Sequence, residues 1–393
     1  MNDLPPICRH FGECGGCRFQ DIPYPEQLAA KAARLEEIRA SSRLPPVILP
    51  PIPSPSLWHY RNKMEFSFAE KDGALICGLH HAARKKEVVD LTECRIFSED
   101  ALPILAAVKE FARESGLPAY NPFRASGFWR NLVLREEKNS DRLMVNVITT
   151  SRGAPPWDKL LAALNALRTK KAISSLIWTV NDRASDAVIP EKVTVLSGPG
   201  YLEETVAGLT FRIHPFSFFQ VNVFLLPAFY GHISSSAALA GTENVLDLFC
   251  GMGPISLFLA RAARRVWGIE REESTVRNAR ENAAANGSAN ALFISGETRR
   301  VLLARGDEWR GTIDVVVTNP PRSGMGIKTL KRIKEIAPRT IIYSSCRPES
   351  FFPEAECFLD EYRAEIIRPF DFFPHTPHVE AVGVFRRKET AGG

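Results

Sequence analysis

The sequence predicts an α/β protein whose C-terminal half is a doubly wound, mostly parallel sheet, preceded by an α+β domain and a Cys-rich head. Two observations carry this prediction. From about residue 201 onward, short apolar segments that read as strands alternate with helical segments, which is typical of βαβ units. The last two strands, residues 364–373 and 380–387, are joined by a loop too short for a crossover helix and are therefore expected to pair antiparallel.

Two changes of pattern divide the chain into three expected parts. Residues 1–55 hold a cysteine-rich head, a helix over residues 26–40 and a proline-rich stretch that predicts an extended connector. The prolines of this stretch are Pro45, Pro46, Pro50, Pro51, Pro53 and Pro55. Residues 56–200 read as a central α+β domain that contains a hairpin of residues 130–136 and 142–149. Residues 201–393 form the doubly wound domain.

The composition is that of a globular protein. The chain has 393 residues, of which 45% are hydrophobic and 24% charged, and these proportions exclude a disordered or collagen-like chain. No run approaches the ~20 apolar residues of a membrane span, and the first residues lack the layout of a secretory signal. We therefore expect a cytoplasmic monomer with no membrane partner and no obligate protein partner.

Positive charge is concentrated in one region of the sequence. The chain has 50 Lys and Arg residues against 45 Asp and Glu residues, a net charge of +5. Between Arg299 and Arg347 there are 11 basic and 4 acidic residues. Such a field is compatible with a nucleic-acid partner. This flank and the central domain are the surfaces expected to hold one.

A glycine turn follows the first strand of the doubly wound part. The segment DLFCGMG, residues 247–253, precedes a helix, so Gly251 and Gly253 would let a ligand approach the backbone without meeting a Cβ. Glu270 ends the next strand near the offset at which a carboxylate binds ribose hydroxyls. The third glycine of a dinucleotide turn is missing, because Pro254 follows. The turn with Glu270 favours S-adenosylmethionine over NAD; for the glycines alone, a merely structural turn is the alternative.

Three further segments are predicted to end at the same edge of the sheet. They are residues 319–322, 344–348 and 373–380. Open α/β sheets bind ligands at the carboxyl ends of their strands, so these segments should converge in space.

Cys346 is the candidate nucleophile of this convergence. It precedes a helix that should begin at Pro348, so the helix dipole and the neighbouring Arg347 are expected to favour the thiolate. A free cysteine is more often an inert buried thiol. We expect Cys77, Cys250 and Cys357 to be inert buried thiols.

Glu380 is the candidate base. Methyl transfer to an unactivated pyrimidine carbon needs a thiolate to add at C6 before C5 becomes nucleophilic, and a base must then remove the C5 proton. Glu380 lies at an apolar strand entry, which should raise its pKa toward the working range; a solvated turn carboxylate is the alternative. His375 and His378 are interpreted as positioning residues, since two ligands on one short loop are a weak indication of zinc.

The N-terminal cysteines have the spacing of a metal site. Cys8, Cys14 and Cys17 are separated by five and two residues, and Cys94 is a candidate fourth ligand. Cytoplasmic thiols stay reduced, so disulfides are not expected. The spacing is comparable to that of ferredoxin-type clusters, and four thiolates also suit structural zinc. Spacing alone leaves both open.

Several motifs together resemble those of the RNA uracil-5 methyltransferases. They occur in family order over nearly the whole chain: CX5CX2C, RNK at residues 61–63, SFFQVN at 217–222, DLFCGMG, GIE at 268–270, NPPRSG at 319–324, YSSC at 343–346 and FPHTPHVE at 373–380. The last four motifs of this list are together highly specific. This resemblance implies a class I S-adenosylmethionine-dependent methyltransferase. The implied reaction is methylation of C5 of a uridine in RNA through a covalent adduct between Cys346 and C6.

The resemblance also implies roles for single residues. Cys346 would be the nucleophile and Glu380 the base. Contacts to S-adenosylmethionine or the target base would come from Gln220, Phe249, Gly251, Glu270 and Asn319. The resemblance favours a [4Fe-4S] cluster over zinc as the group bound by Cys8, Cys14, Cys17 and Cys94. The cluster would have a structural or RNA-organising role. The chain departs from many relatives at Pro254, where they carry Asn or Gly, and at Asn319, where many carry Asp.

Within the family, the chain is most similar to the iron-sulfur-containing bacterial 23S rRNA methyltransferases without the N-terminal RNA-binding barrel, because Cys8 already belongs to the cysteine motif. Ribosomal RNA is the expected substrate, and a tRNA uridine is the alternative. The target uridine would be flipped out of its stack, since C5 and C6 are not accessible in a stacked helix. A non-catalytic cluster-bearing RNA-binding protein is a third reading, which transfer of labelled methyl groups to RNA would exclude.

Overall fold

The computed structural model describes residues 8–45, 47–184 and 190–389. Residues 1–7 of the predicted head, Pro46 of the connector, residues 185–189 of the central domain and residues 390–393 of the last domain lie outside the described residues. The helices are α1 (Tyr24–Ala40), α2 (Ala101–Glu114), α3 (Trp157–Asn165), α4 (Leu226–Ala237), α5 (Pro254–Ala260), α6 (Glu273–Ala285), α7 (Thr298–Trp309), α8 (Ile327–Ile336) and α9 (Pro348–Glu356). No helix in these described ranges combines the length and apolar character needed to cross a membrane.

The strands of the first half form one sheet in the central domain. They are β1 (Lys63–Lys71), β2 (Ala74–His80), β3 (Val88–Asp90), β4 (Trp129–Glu136), β5 (Arg142–Thr149), β6 (Ala172–Val180) and β7 (Lys192–Ser197), in the order β3-β2-β1-β4-β5-β6-β7. The predicted hairpin is confirmed, since β4 and β5 pair antiparallel with Leu132 opposite Val147. Met64, Phe66 and Phe68 of β1 are buried in a core to which α2 and α3 also contribute.

The second half begins with the hairpin of β8 (Leu202–Val206) and β9 (Leu209–Ile213) and continues into the predicted doubly wound sheet. Its strands are β10 (Asn244–Leu248), β11 (Arg265–Glu270), β12 (Ala291–Ser295), β13 (Val315–Thr318), β14 (Thr340–Ser345), β15 (Tyr362–Phe370) and β16 (Glu380–Arg387). The order is β12-β11-β10-β13-β14-β16-β15. The first five strands of that order are parallel, and β16 runs antiparallel between β14 and β15. The mostly parallel sheet with an antiparallel final pair is therefore confirmed.

The helix and connector of the first 55 residues pack on the C-terminal sheet. Leu35 of α1 is fully buried in the core that β13 and β14 share. Ile48 and Ile52 of the connector form parallel bridges to β15 at Ile367 and Phe370. The cysteine segment instead contacts the central domain, so the N-terminal residues connect the two sheets.

A buried ion pair fixes α1 to the segment that leads into residues 373–380. Lys31 Nζ lies 2.5 Å from Asp371 Oδ1, and both side chains are almost completely buried. Lys31 also donates to the carbonyl of Phe373 at 3.0 Å. Burial lowers the pKa of Lys31 and is opposed by Asp371, so removing one partner leaves the other charge buried and uncompensated.

We expect Lys31→Ala to lower the free energy of unfolding by about 3–5 kcal/mol, as measured by denaturant titration. Arg34→Ala, which breaks a half-exposed pair with Glu349 one turn along α1, is the matched control and should cost less than about 1 kcal/mol. Equal losses in the two variants would contradict the argument.

Candidate active site

The glycine turn after β10 opens into a pocket. Phe249 has a φ of 59°, Gly251 of 56° and Gly253 of 90°, so the chain passes through the left-handed region three times before α5 begins. A Cβ at Gly253 would lie 2.8 Å from the Phe293 ring, whereas one at Gly251 would meet nothing within 4 Å. Gly253 is thus required for packing, and Gly251 leaves its backbone open to a ligand.

Glu270 holds this turn from the neighbouring strand. Its carboxylate accepts hydrogen bonds from the amide of Gly251 at 3.2 Å and from the amide of Arg271 at 2.7 Å. The predicted pairing of the glycine turn with the acidic end of β11 is therefore present. Glu270 is not among the residues that line the pocket, so what the structure shows is its support of the turn.

Four of the five predicted cofactor residues line one pocket. Gln220, Phe249, Gly251 and Asn319 are all in its wall, and Pro254 is too. Asn319 follows β13, and its amide donates to the carbonyl of Leu248 at 3.3 Å. Pro254, which stands where many relatives carry Asn or Gly, is thus part of the pocket wall.

A buried tyrosine of the pocket wall and a buried carboxyl group behind it escaped the sequence analysis. Tyr230 of α4 lines the pocket and is 2% exposed. Its hydroxyl and Asp247 Oδ1 have no hydrogen-bond partner among the described residues, while Asp247 Oδ2 accepts from Ser256 at 2.5 Å. Burial raises the pKa of Asp247 to about 7. Unpartnered buried polar atoms are costly, so they mark a place that suits a polar ligand.

Cys346 and Glu380 are brought together by strand register. Ser345 of β14 lies opposite Ala381 of β16, which places the next residues, Cys346 and Glu380, across from each other. The side chain of Ser344 donates to Glu380 Oε1. The predicted convergence of these two segments is therefore observed. Alternation along β14 puts Ser344 and Cys346 on the same side, a signal that could have identified Ser344 from sequence.

The environment of the Cys346 thiol differs from the sequence prediction. Its pKa is raised above the ordinary 9.0, first by burial and then by the negative charge of Glu380. Arg322 opposes these effects through a hydrogen bond and its positive charge. Arg347, the predicted cation, instead lies 3.9 Å from Glu349 with its side chain 57% exposed. The prediction of a favoured thiolate was wrong in direction because burial and the charge of Glu380 outweigh the contacts that lower the pKa, and the stabilising cation is Arg322.

Glu380 behaves as predicted. It is 2% exposed, and burial raises the pKa of its carboxyl group to about 7, with the Ser344 hydrogen bond opposing the rise. A carboxyl group with this pKa can exchange a proton near neutral pH.

The loop that carries Asn319 and Arg322 is anchored by α9. Glu354 accepts hydrogen bonds from the amides of Met325 at 3.0 Å and Gly326 at 2.7 Å and from the hydroxyl of Tyr343 at 2.7 Å. The hydroxyl of Ser350 donates to the carbonyl of Arg322 at 3.1 Å. The helix that follows Cys346 therefore also positions the cation next to its thiol.

The basic flank is divided between the two ends of the sheet. Arg322 and Arg347 lie at the carboxyl ends of the strands, whereas Arg310, Lys331 and Lys334 line a depression beside the segments that lead into β13 and β14. Lys334 is 3.1 Å from Glu361. The single positive surface expected over residues 299–347 is thus not formed. Because α7 and α8 run along the sheet, basic residues that are close in sequence lie at opposite ends of it.

Cations from several parts of the chain act on the loop of residues 373–380. Burial lowers the pKa of His378, and the positive charges of Arg322, Arg61, Lys31 and Arg34 lower it further. His375 is buried and stacks on Trp58 with ring centroids 4.0 Å apart. The stacked ring helps to hold the loop, and the role of His375 as a positioning residue stays a prediction. Lys31 and Arg34 are paired with Asp371 and Glu349, so these two cations are already neutralised within the protein.

The three cysteines of the N-terminal motif and the candidate fourth ligand line one cavity beside β2 and β3. Cys8, Cys14, Cys17 and Cys94 all lie in its wall, and none is in a disulfide. Burial raises the pKa of Cys17 to about 12 and that of Cys94 to about 11, and neighbouring cysteine sulfurs add to both shifts. In the described part of the chain, however, no group of three or more His, Cys, Asp or Glu side chains is arranged to hold a metal ion. The predicted convergence is present, but a formed metal site is not.

Comparison with known proteins places the chain in a family. The tRNA (uracil-5-)-methyltransferase model matches residues 201–389. An RNA methyltransferase of Caldanaerobacter subterraneus subsp. tengcongensis, described as uncharacterized, is 37% identical over 97% of this chain and 84% of its own length. A similarly described protein of Clostridium tetani is 36% identical over 99% of this chain and 86% of its own length. The chain belongs to the RNA uracil-5 methyltransferase family.

A solved structure extends the similarity of this methyltransferase to both domains. The tRNA (uracil-54, C5)-methyltransferase of Pyrococcus abyssi, crystallised in complex with S-adenosyl-L-homocysteine, superposes with a TM-score of 0.76 at 29% identity. The match covers 94% of this chain and 85% of that protein. The fold is therefore that of a class I methyltransferase with an additional α+β domain, and the chain is an RNA methyltransferase.

Proposed function

We propose that this methyltransferase transfers a methyl group from S-adenosylmethionine to C5 of one uridine in RNA through a covalent adduct on Cys346. The observation that carries the proposal is the register of β14 and β16, which sets a partly buried thiol opposite a buried carboxyl group. Methyl transfer to a nitrogen or oxygen atom of RNA does not require this pair, whereas transfer to C5 of a pyrimidine does. 23S rRNA is the first candidate substrate, and tRNA, named for the Pyrococcus relative and the matching family model, is the second.

The pocket at the glycine turn has the features of a cofactor site. Open space beside the Gly251 backbone and the unpartnered hydroxyl of Tyr230 suit a polar ligand, and Glu270 holds the turn that carries Gly251. Gln220, Phe249 and Asn319 supply further wall. S-adenosylmethionine would supply an electrophilic methyl group there. The bound S-adenosyl-L-homocysteine of the Pyrococcus relative supports this assignment.

The chain's own residues account for the remaining steps. The uridine is flipped from its stack into the site. The Cys346 thiolate forms a bond to C6, which makes C5 nucleophilic. After C5 is methylated, Glu380 accepts the C5 proton, the C6–sulfur bond breaks, and 5-methyluridine leaves with the thiolate restored. Arg322 stabilises the thiolate by hydrogen bond and charge.

The direct test is methyl transfer to RNA from cells that lack this gene. The purified protein is incubated with that RNA and methyl-labelled S-adenosylmethionine, and the RNA is digested to nucleosides. We expect label in 5-methyluridine, and mapping on separated rRNA and tRNA identifies the substrate. Absence of labelled 5-methyluridine from both fractions would overturn the proposal.

The reaction should depend on pH through Glu380. Its pKa is raised to about 7, so the carboxylate form that accepts a proton grows as pH rises through 7. The raised pKa of Cys346 acts in the same direction, because the thiolate also grows with pH. We expect release of methylated RNA to rise between pH 6 and pH 9 with an inflection near 7. A rate that falls over this range would contradict the assignment.

We further propose that the four-cysteine cavity binds a [4Fe-4S] cluster, for which zinc is the alternative. The support is that four sulfur atoms line one cavity, which suits either group chemically. Anaerobic purification followed by iron, sulfide and zinc analysis tests this. Iron and sulfide in equal amounts would support the cluster, and one zinc per chain or no metal would exclude it.

RNA binding and methyl transfer are assigned to different parts of the chain. We propose that residues 56–200 bind RNA and that residues 201–393 bind S-adenosylmethionine and catalyse the transfer. The contacts of Asn62 with the 217–222 segment, at 2.8 Å to Val221 and 3.0 Å to Gln220, support a shared substrate surface between the two.

A further inference from the structure

The central domain has a second groove, formed by residues different from those at Cys346. It lies on the face of β1 and β4 opposite the domain core and measures about 350 Å³, which is within the range of ligand-binding pockets. Its wall includes Ser67, Lys85, Lys86, Tyr120, Phe123 and Asn131. We call it the Phe123 groove.

Phe123 is exposed and yet held in place. Its side chain is 71% exposed, the highest value among the large apolar residues of the described ranges. The side-chain oxygen of Asn121 accepts the amides of Phe123 at 2.9 Å and Arg124 at 3.2 Å. These bonds hold the backbone of the turn, and the exposed ring that it carries is suited to stack on a ligand.

Two cations lie over aromatic rings of the same groove. Lys86 Nζ is 4.6 Å from the ring centroid of Phe123, and the guanidinium carbon of Arg130 is 4.0 Å from that of Tyr120. Arg130 also donates to the carbonyls of Asn181 and Arg183, which fixes its position. Alternating cations and aromatic rings are the usual surface for single-stranded nucleic acid, whose phosphates and bases they bind respectively.

The floor of the groove is polar. Ser67 Oγ lies 3.1 Å from His80 Nε2 and 3.4 Å from Asn131 Nδ2. Glu65 and Glu70 also line it, and their carboxylates repel phosphates. A nucleic acid would therefore direct its phosphates to the lysine rim and its base edges, which offer hydrogen-bond donors, to the floor.

The groove and the active site share one strand. β1 begins directly after Asn62, whose side chain donates to the carbonyl of Gln220 in the cofactor pocket wall. Ser67 is four residues along β1 from Lys63, about 13 Å at the rise of a strand. An RNA strand that leaves the active site along β1 would reach the Phe123 groove within this distance.

We propose that the Phe123 groove binds a single-stranded segment of the substrate RNA flanking the methylated uridine. One base stacks on Phe123, and its phosphates contact Lys85 and Lys86. This inference rests on the proposed function for the identity of the RNA. The cations beside aromatic rings favour RNA over a protein partner, because each nucleotide offers both a phosphate and a ring face.

The test compares Phe123→Ala, Phe123→Trp and Lys86→Ala with the control Leu292→Ala, a 42% exposed side chain on edge strand β12. The methyl acceptor is RNA from cells that lack the gene. We expect Phe123→Ala to raise the KM for RNA roughly 5- to 100-fold with kcat within about twofold, since a stacked base contributes that much to binding. Phe123→Trp should restore the KM to within about threefold of wild type. A thermal melt shows that each variant is folded.

Equilibrium binding of a labelled oligouridine separates this inference from the proposed function. Lys86→Ala should reduce the slope of log affinity against log salt concentration by about 0.7, the effect of one phosphate contact on single-stranded RNA. If Phe123→Ala changes neither the KM nor oligouridine affinity more than Leu292→Ala does, the groove does not bind RNA and a protein partner becomes the better reading. If the wild-type chain transfers no methyl group, the proposed function fails, and the oligouridine titration still decides the role of the groove.

Discussion

Cys346→Ala is expected to abolish methyl transfer to RNA, lowering the rate by a factor of about 10⁴ or more, because C5 of uracil has no other route to becoming a nucleophile in this site. Binding of S-adenosylmethionine should stay within about twofold of wild type, since the pocket at Gly251 and Asn319 does not include the thiol. The measurement is transfer of labelled methyl groups together with a titration of cofactor binding.

Cys357→Ala provides the matched control for this variant. Cys357 is another partly exposed free cysteine rather than the buried thiol expected from the sequence, because it lies just past the far end of α9. Its thiol donates to the carbonyl of Pro353 at 3.7 Å. It should leave activity unchanged. Substantial turnover by the Cys346→Ala protein would refute the covalent route.

Glu380→Gln is expected to have the second largest effect, a loss of about 10²- to 10⁴-fold in turnover, because glutamine cannot accept the C5 proton. Without that step the C6–sulfur bond cannot break, so protein joined to methylated RNA should accumulate. A denaturing gel with labelled RNA detects it as a slowly migrating band. The double variant with Cys346→Ala should show no such band.

The same substitution should change the thiol itself. The negative charge of Glu380 raises the pKa of Cys346, so Glu380→Gln should lower that pKa and speed alkylation by iodoacetamide near pH 8. Glu349→Gln, an exposed carboxylate at the start of α9, is the control for general effects of charge removal. A Glu380→Gln protein that turns over normally, or alkylates no faster, would rule out the arrangement.

Cys346 and Glu380 show how far local pattern reasoning extends. Both were assigned from their positions at strand ends, and register brings them together because β14 and β16 pair antiparallel with Ser345 opposite Ala381. The direction of the Glu380 pKa followed from its apolar neighbours. The direction for Cys346 did not follow, because the amount of burial and the approach of Arg322 depend on the loop that α9 anchors through Glu354.

The alternation of strands and helices, the antiparallel final pair and the glycine turn were all determined by the sequence alone, because hydrophobic periodicity, loop length and glycine placement act over a few residues. The tertiary structure alone decided which distant groups meet. Tyr230 reaches the pocket from α4, Lys31 pairs with Asp371 across most of the chain, and the basic flank separates to two ends of the sheet. These contacts depend on how whole helices pack, and desolvation, which sets the pKa of every buried group in the site, arises only after that packing.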